Sequence, residues 1–217
     1  MIIRRPTGGH SLSPHYKINI GKCKEMKLKS KQDNYAELQN HRSGGNMNSN
    51  TFFRDFVAAE IAINNSWNVL DIGCRTGKVL SELWDMEYGN INGIDIGSQA
   101  ETSWLNLPFK NKLIRCDIHD GIPFDTQYDI ITCSHTLEHC YDPLKVREII
   151  YQKLNKNGYL HSIVPIEPFD DFAKYQYHLV CFENHQEHIE FYTTIGLTKI
   201  YDNYTGGNSV AIFQKNA

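Results

Sequence analysis

The chain has 217 residues, 41% hydrophobic and 22% charged, with a net charge of −3. These values fit one sizeable globular α/β domain with an extension and exclude a wholly disordered chain. The charge is uneven: residues 1–50 hold 9 Lys and Arg against 3 Asp and Glu, and the remainder 13 against 22, so a basic arm precedes an acidic body with no broad cationic face for nucleic acid.

No apolar run approaches the ~20 residues needed to span a bilayer. Met1-Ile-Ile-Arg-Arg-Pro6 is too short in its apolar part for a secretory signal, so a cytoplasmic protein is expected. The six cysteines form no CxxC pair, which fits reduced thiols.

Residues 1–50 lack a sustained apolar period and contain Pro6, Gly8-Gly9, Pro14 and Gly44-Gly45, so an irregular arm is expected, with a short strand at Tyr16–Ile20. The domain itself is placed at 51–217. Asn50 or Thr51 could cap a helix through Phe52, Phe53, Phe56, Val57, Ile61 and Ile63, whose spacing gives one apolar face against a sheet. Strands and amphipathic helices then alternate: strand 68–73, helix 77–86, strand 91–96, helix 98–105, strand 112–117 and strand 128–133. Asp142-Pro143 opens a helix to Leu154, and Asn157-Gly158 is read as its stop before strand 159–164. A helix at 184–195 and strands 197–204 and 209–214 follow, the last two joined by Gly206-Gly207-Asn208 as a hairpin. The pattern predicts a Rossmann-like, seven-stranded, mostly parallel sheet with an antiparallel C-terminal hairpin strand and helices on both faces.

The stretch Asn68-Val-Leu-Asp-Ile-Gly-Cys-Arg-Thr-Gly-Lys-Val-Leu80 reads as a buried strand, a tight turn and a helix. Gly73 and Gly77 let a ligand approach the backbone, where amide groups at the helix start can meet its polar atoms, and Asp71 stands at the carboxyl end of the strand. Asp95 lies ~20 residues beyond the loop, where a carboxylate can accept from both hydroxyls of a ribose; the structural alternative is a cap for the next helix. Asp117 is a third acid at the same sheet edge, able to accept from an adenine amino group between the apolar walls Ile96 and Ile118.

On Leu70-Asp-Ile-Gly-Cys-Arg-Thr-Gly77, Gly93-Ile-Asp-Ile96, Arg115-Cys-Asp-Ile118, Tyr128-Asp-Ile-Ile-Thr-Cys-Ser-His-Thr-Leu-Glu-His139 and Leu154-Asn-Lys-Asn-Gly-Tyr-Leu160 the chain resembles class I S-adenosylmethionine-dependent methyltransferases, of the group called types 11 and 23. The resemblance runs from about Phe52 to the end. It implies that Asp71, Gly73 and Gly77 hold the methionine part of S-adenosyl-L-methionine, Asp95 the ribose and Asp117 the adenine, with Cys74, Ile96, Ile118 and Ser134 as further cofactor contacts. Tyr35 to Gly45 resembles an upstream loop that closes over the cofactor. Relatives usually have glycine where this chain has Arg75.

A dehydrogenase would need G-x-G-x-x-G, which Gly73-Cys-Arg-Thr-Gly77 does not supply. His135-Thr-Leu-Glu-His139 also fits the H-x-x-E-H zinc peptidase pattern, but those ligands need a helix and the motif here follows a strand. His135 and His139 are therefore taken as catalytic candidates and no metal is assigned, although Glu138 and His139 could take a divalent ion. Tyr177 and His178 could border the acceptor, with Phe169, Phe172 and Tyr175 walling a pocket, while His185 and His188 are placed on a surface helix face. The acceptor is expected to be a small polar metabolite or sugar-like molecule, since no long apolar face suggests a membrane-embedded quinone. Two other readings stay open. One is a catalytically silent cofactor-binding partner subunit; the other is an RNA methyltransferase that uses the basic arm.

Overall fold

The structure is a computed structural model that describes residues 2–3, 49–167 and 178–216. A seven-stranded sheet organises it. The elements in chain order are β1 (Ile2–Ile3), α1 (Ser49–Ala58), β2 (Val69–Ile72), α2 (Lys78–Asp85), β3 (Ile91–Asp95), α3 (Ser98–Trp104), β4 (Leu113–Arg115), β5 (Tyr128–Ser134), α4 (Pro143–Lys153), β6 (Leu154–Pro165), β7 (Val180–Cys181), α5 (His185–Thr193), β8 (Leu197–Thr205) and β9 (Asn208–Lys215). The main sheet has the order β4-β3-β2-β5-β6-β9-β8, with β9 antiparallel to both neighbours and every other pairing parallel. That is the sheet expected from the alternating pattern.

Alternation along the strands sorts the core into two layers. Val69, Ile91, Ile130 and Ile212 face α1 and α2, against Phe52, Phe56, Leu80 and Leu83. Leu70, Ile72, Ile131, Cys133, Leu160 and Phe213 face the other way, against Val146 and Ile150 of α4 and Ile189 and Tyr192 of α5. The strand order reverses between β2 and β5, so the carboxyl ends of these strands open a crevice.

Several elements differ from the sequence reading. α1 stops at Ala58 because Glu60 turns left-handed, at φ 58°, and the Ile61 amide returns to the Phe56 carbonyl at 3.0 Å; Ile61 and Ile63 lie beyond the helix. Asn157-Gly158 does not stop α4. The helix ends at Lys153, where Lys215 Nζ donates to the carbonyls of Tyr151 (2.8 Å) and Leu154 (2.9 Å), and Leu154 already pairs with Tyr128. Asn157, at φ 62°, then marks the register break within β6 before Tyr159 pairs with Ile130.

The start of the expected irregular arm is a strand, since Ile2–Ile3 pairs antiparallel with Val180–Cys181. The expected strand at Tyr16–Ile20 and the loop from Tyr35 to Gly45 lie outside the described residues, as do Pro168, Phe169, Phe172, Tyr175 and Tyr177. Among the described residues Cys74, Cys116, Cys133, Cys140 and Cys181 are free thiols, and no helix is long and apolar enough to cross a membrane.

The surface placement of two histidines is corrected. His188 is fully buried, with Nε2 2.9 Å from Ser162 Oγ and Nδ1 2.7 Å from Ser209 Oγ. Burial, reinforced by His185, pushes its pKa down to about 3, so it is a neutral ring in the core. His185 is half-buried and joins Ser209 to Asp202, at 2.6 and 2.8 Å. The helical period did mark α5 as amphipathic, but these imidazoles lie on its inward side because hydroxyls of β6 and β9 meet them there.

Candidate functional site

The loop after β2 is built around backbone that L side chains rarely adopt. Gly73 has φ 75°, and a Cβ there would lie 2.0 Å from Thr136 Oγ1, which itself donates to the Ile72 and Ser134 carbonyls at 3.1 Å each. Gly77, at φ 76°, precedes α2. Arg75 is also left-handed, at φ 48°. Its amide donates to Asp95 Oδ2 at 2.9 Å, and its carbonyl accepts from Trp104 Nε1 at 2.6 Å. The loop therefore tolerates arginine because β3 and α3 clamp the peptide units on both sides of Arg75.

Asp95 also accepts from the Gly97 amide, through Oδ1 at 2.7 Å. It thus anchors the start of α3 as well as the glycine loop, so the capping role considered from sequence is part of its work. Burial raises its pKa, against the lowering effect of these two amides. Asp71, buried on β2, is pushed up to about 7, first by desolvation and then by the neighbouring Asp95. A cation placed between these carboxylates would relieve both effects.

Asp117 caps a single 3-10 turn, Ile118–Asp120. Its Oδ1 accepts from the His119 amide at 2.9 Å and lies 2.6 Å from His119 Nδ1. The Asp142 amide donates to His119 Nε2 at 3.2 Å, which leaves Nδ1 as the protonated nitrogen. Burial opposes ionisation of Asp117, but the His119 bonds outweigh it and hold the pKa below the usual carboxylate range. The other oxygen, Oδ2, is buried without a hydrogen-bond partner among the described residues, an acceptor available to a ligand.

Beyond β5 the chain turns at His135, in left-handed conformation at φ 49°, and enters a 3-10 turn at Leu137–His139. That single turn is not the α-helix an H-x-x-E-H metal site uses. Glu138 is buried, with Oε1 3.4 Å from His135 Nδ1 and 3.6 Å from His139 Nε2. Burial disfavours its charge, yet His139, His135 and His178 together pull its pKa down to about 2. Oε2 of Glu138 and Oγ of Ser134 are buried without hydrogen-bond partners among the described residues. Glu138, His139 and His178 each bring a ligand atom within 4.8 Å of the others and could hold a divalent cation. His178 in turn lies 2.7 Å from Glu167, a pair that sequence reasoning did not find because nothing in their spacing marks it.

One cavity of about 900 Å³ is lined by Asp71, Gly73, Cys74, Asp95, Ile96, Asp117, Ile118, Ser134, His135 and His139. Its wall also includes Thr51 and Arg54 of α1, Arg75, Lys78, Glu138, Glu167, His178 and the hairpin tip at Thr205–Asn208. Among the described residues, every catalytic and cofactor-binding candidate lines this cavity except Gly77, where a Cβ would lie 3.1 Å from a methyl carbon of Leu107; His178 lines it too, while Phe169, Phe172, Tyr175 and Tyr177 lie outside the described residues. The hairpin tip and Glu167 were not anticipated.

Residues 38–204 match a family model described as a methyltransferase domain. A ubiquinone biosynthesis O-methyltransferase of Erwinia tasmaniensis is 31% identical over 120 residues, 46% of this chain and 48% of that protein, so the chain spans about half the length of this curated relative. Among solved structures, the N-methyltransferase NodS of Bradyrhizobium japonicum in complex with S-adenosyl-L-homocysteine has a TM-score of 0.61 at 14% identity, covering 84% of this chain and 98% of NodS. The [4+2]-cyclase SpnF has a TM-score of 0.63 at 14% identity, covering 76% of this chain and 80% of its own. The chain belongs to the methyltransferase-domain family, and its fold is that of S-adenosylmethionine-dependent methyltransferases.

Proposed function

We propose that the protein is an S-adenosylmethionine-dependent O-methyltransferase acting on a small, polar, hydroxyl-bearing acceptor, with residues 51–217 as its catalytic domain and 1–50 as a basic arm. The observation that carries this reading is a single cavity that joins the glycine loop and three strand-end carboxylates to the Glu138 and His135 cluster. The residues fit the cofactor. Asp117 Oδ2 is an unused acceptor at hydrogen-bonding depth for the adenine amino group, with Ile96 and Ile118 beside it. Asp95 is set for the ribose hydroxyls, and Asp71 for the positive charge of the methionine part. Gly73 and Cys74 line that end with backbone, and Ser134 offers a hydroxyl.

S-adenosylmethionine supplies a methyl group for in-line displacement by the acceptor oxygen. The chain's own part is mainly positional, since holding two reactants at near-attack distance removes much of the entropic barrier. Glu138, ionised at neutral pH, orients the His135 ring through Nδ1, which leaves Nε2 to take the acceptor's hydroxyl proton. His139 supports the same carboxylate from the other side. The name of the Erwinia relative favours oxygen over nitrogen or carbon as the accepting atom; nothing in the comparisons favours a sugar-like acceptor over other polar hydroxyl compounds.

The test is incubation with methyl-labelled S-adenosylmethionine and fractionated cell extracts. Label in a small-molecule fraction as an alkali-stable ether is the expected result; label in RNA, or none in any fraction, contradicts the reading.

A second reading is favoured by the geometry of Glu138, His139 and His178: a divalent cation there would orient the acceptor oxygen directly. Turnover lost on chelation and restored by added magnesium or manganese supports it, and turnover indifferent to chelator removes it.

A further inference from the structure

The layer beneath α1 contains a polar row that none of the roles above uses. Asp55, Thr132 and His161 are buried at 1%, 0% and 0% exposure. His161 Nε2 lies 3.1 Å from Asp55 Oδ2, and His161 Nδ1 lies 3.1 Å from Thr132 Oγ1. A carboxylate only accepts, so Nε2–H donates to Asp55, and Nδ1 meets the Thr132 hydroxyl. Register places Asp71, Thr132 and His161 side by side on adjacent strands of one face. The row therefore runs from the cavity carboxylate Asp71 to α1, across a sequence separation of 106 residues.

α1 is ten residues long, and its other anchors in this layer are the rings of Phe52 and Phe56, which flank His161 at 5.5 and 5.9 Å. Apolar contact alone leaves the rotation of a helix loosely set, whereas one directional hydrogen bond to Asp55, from a His161 ring that Thr132 holds in turn at Nδ1, sets the rotation and height of α1 at that point. A carboxylate costs free energy to bury, and apolar residues of similar volume would fill this space at less cost. What the polar row adds is orientation. The residues it orients are Thr51 and Arg54, which line the cavity; the Arg54 guanidinium lies 3.4 Å from Asp55 Oδ1.

We propose that Asp55, His161 and Thr132 are positioning residues that set α1 so that Arg54 meets the carboxylate of the cofactor's amino-acid part. This rests on the cavity being the S-adenosylmethionine site.

The test is binding of two ligands, S-adenosylhomocysteine and 5′-methylthioadenosine; the second keeps the nucleoside and thioether but lacks the amino-acid part. In Asp55→Leu/His161→Phe/Thr132→Val, where no buried polar partner is orphaned, the melting temperature is expected at or above that of the parent. S-adenosylhomocysteine affinity should fall about tenfold, while methylthioadenosine affinity stays within about threefold. Arg54→Ala should show the same selective loss in the parent and no further loss in the triple variant. Asp55→Asn keeps an acceptor for Nε2–H and should bind both ligands like the parent, with Asp55→Ala as its failing counterpart; this pair carries the comparison if the triple variant does not fold.

Unchanged S-adenosylhomocysteine affinity in a folded triple variant, or equal loss of both ligands, overturns the proposal. A parent protein that binds neither ligand overturns the cofactor reading itself, and this inference with it.

Discussion

The Arg75 amide lies 2.9 Å from Asp95 Oδ2, so the carboxylate at the end of β3 holds the loop at the end of β2 in its left-handed turn. One residue thereby shapes the glycine loop and, in the proposed reading, also presents an acidic group to the cofactor.

Asp95→Ala is therefore expected to cost more than a ligand contact. Two backbone amides, those of Arg75 and Gly97, lose their acceptor, for about 1–2 kcal/mol of stability. Cofactor affinity should fall by a further 1.5–3 kcal/mol or so, the range of a charge-assisted hydrogen bond. Urea denaturation and calorimetry separate the two; normal affinity in a destabilised protein would leave Asp95 as a structural anchor alone.

Arg75→Gly should be tolerated. It removes the strain of an L residue at φ 48° but adds chain entropy in the unfolded state, so stability should change by less than about 1 kcal/mol, with cofactor affinity within about threefold. Arg75→Val, β-branched in the same conformation, should lose about 2 kcal/mol. Equal stability of the two variants would show that the loop relaxes away from this turn.

Asp71 should make cofactor binding depend on pH. Its pKa in the free protein is about 7, and a cationic ligand binds best to the carboxylate. Affinity for S-adenosylmethionine should thus decline as pH falls below 7, and binding at pH 7 should release protons, visible as calorimetric heats that vary with buffer ionisation enthalpy. Asp71→Asn should abolish both effects.

The same shift bears on stability. A carboxyl with a raised folded pKa binds its proton more tightly in the folded state, so its contribution falls as pH rises from 3.8 to about 7. Glu138 acts in the opposite sense. Its folded pKa is depressed from 4.5 to about 2, so the stability it contributes is present above 4.5 and is lost as pH falls through that interval. Acid denaturation of Glu138→Gln should show a shallower loss between pH 4.5 and 2 than the parent; identical profiles would contradict the pairing with His135, His139 and His178.

His135→Ala should retain S-adenosylhomocysteine affinity within about threefold while turnover falls by about two orders of magnitude, the size of a lost general base. Unchanged turnover would remove the base assignment.

The strands, the glycine loop and the three acids at their ends were legible because each is announced by local pattern: apolar runs, glycines at a turn, and carboxylates at fixed distance from it. The end of α4 was misread because Asn157-Gly158 is a turn signal whether it stops a helix or breaks strand register, and Lys215, 62 residues beyond Lys153, does the actual capping. The pairs Asp55–His161 and Glu167–His178 left no trace in the sequence. Their partners meet only when the sheet is assembled, and a lone histidine reads the same in a core and on a surface. His188 was placed outside for that reason.

The most direct measurement is calorimetric titration of the unmodified protein with S-adenosylmethionine and S-adenosylhomocysteine. The site described here predicts saturable binding of each, one per chain, weakened about tenfold or more by Asp95→Ala. No detectable binding of either at millimolar concentration would contradict it.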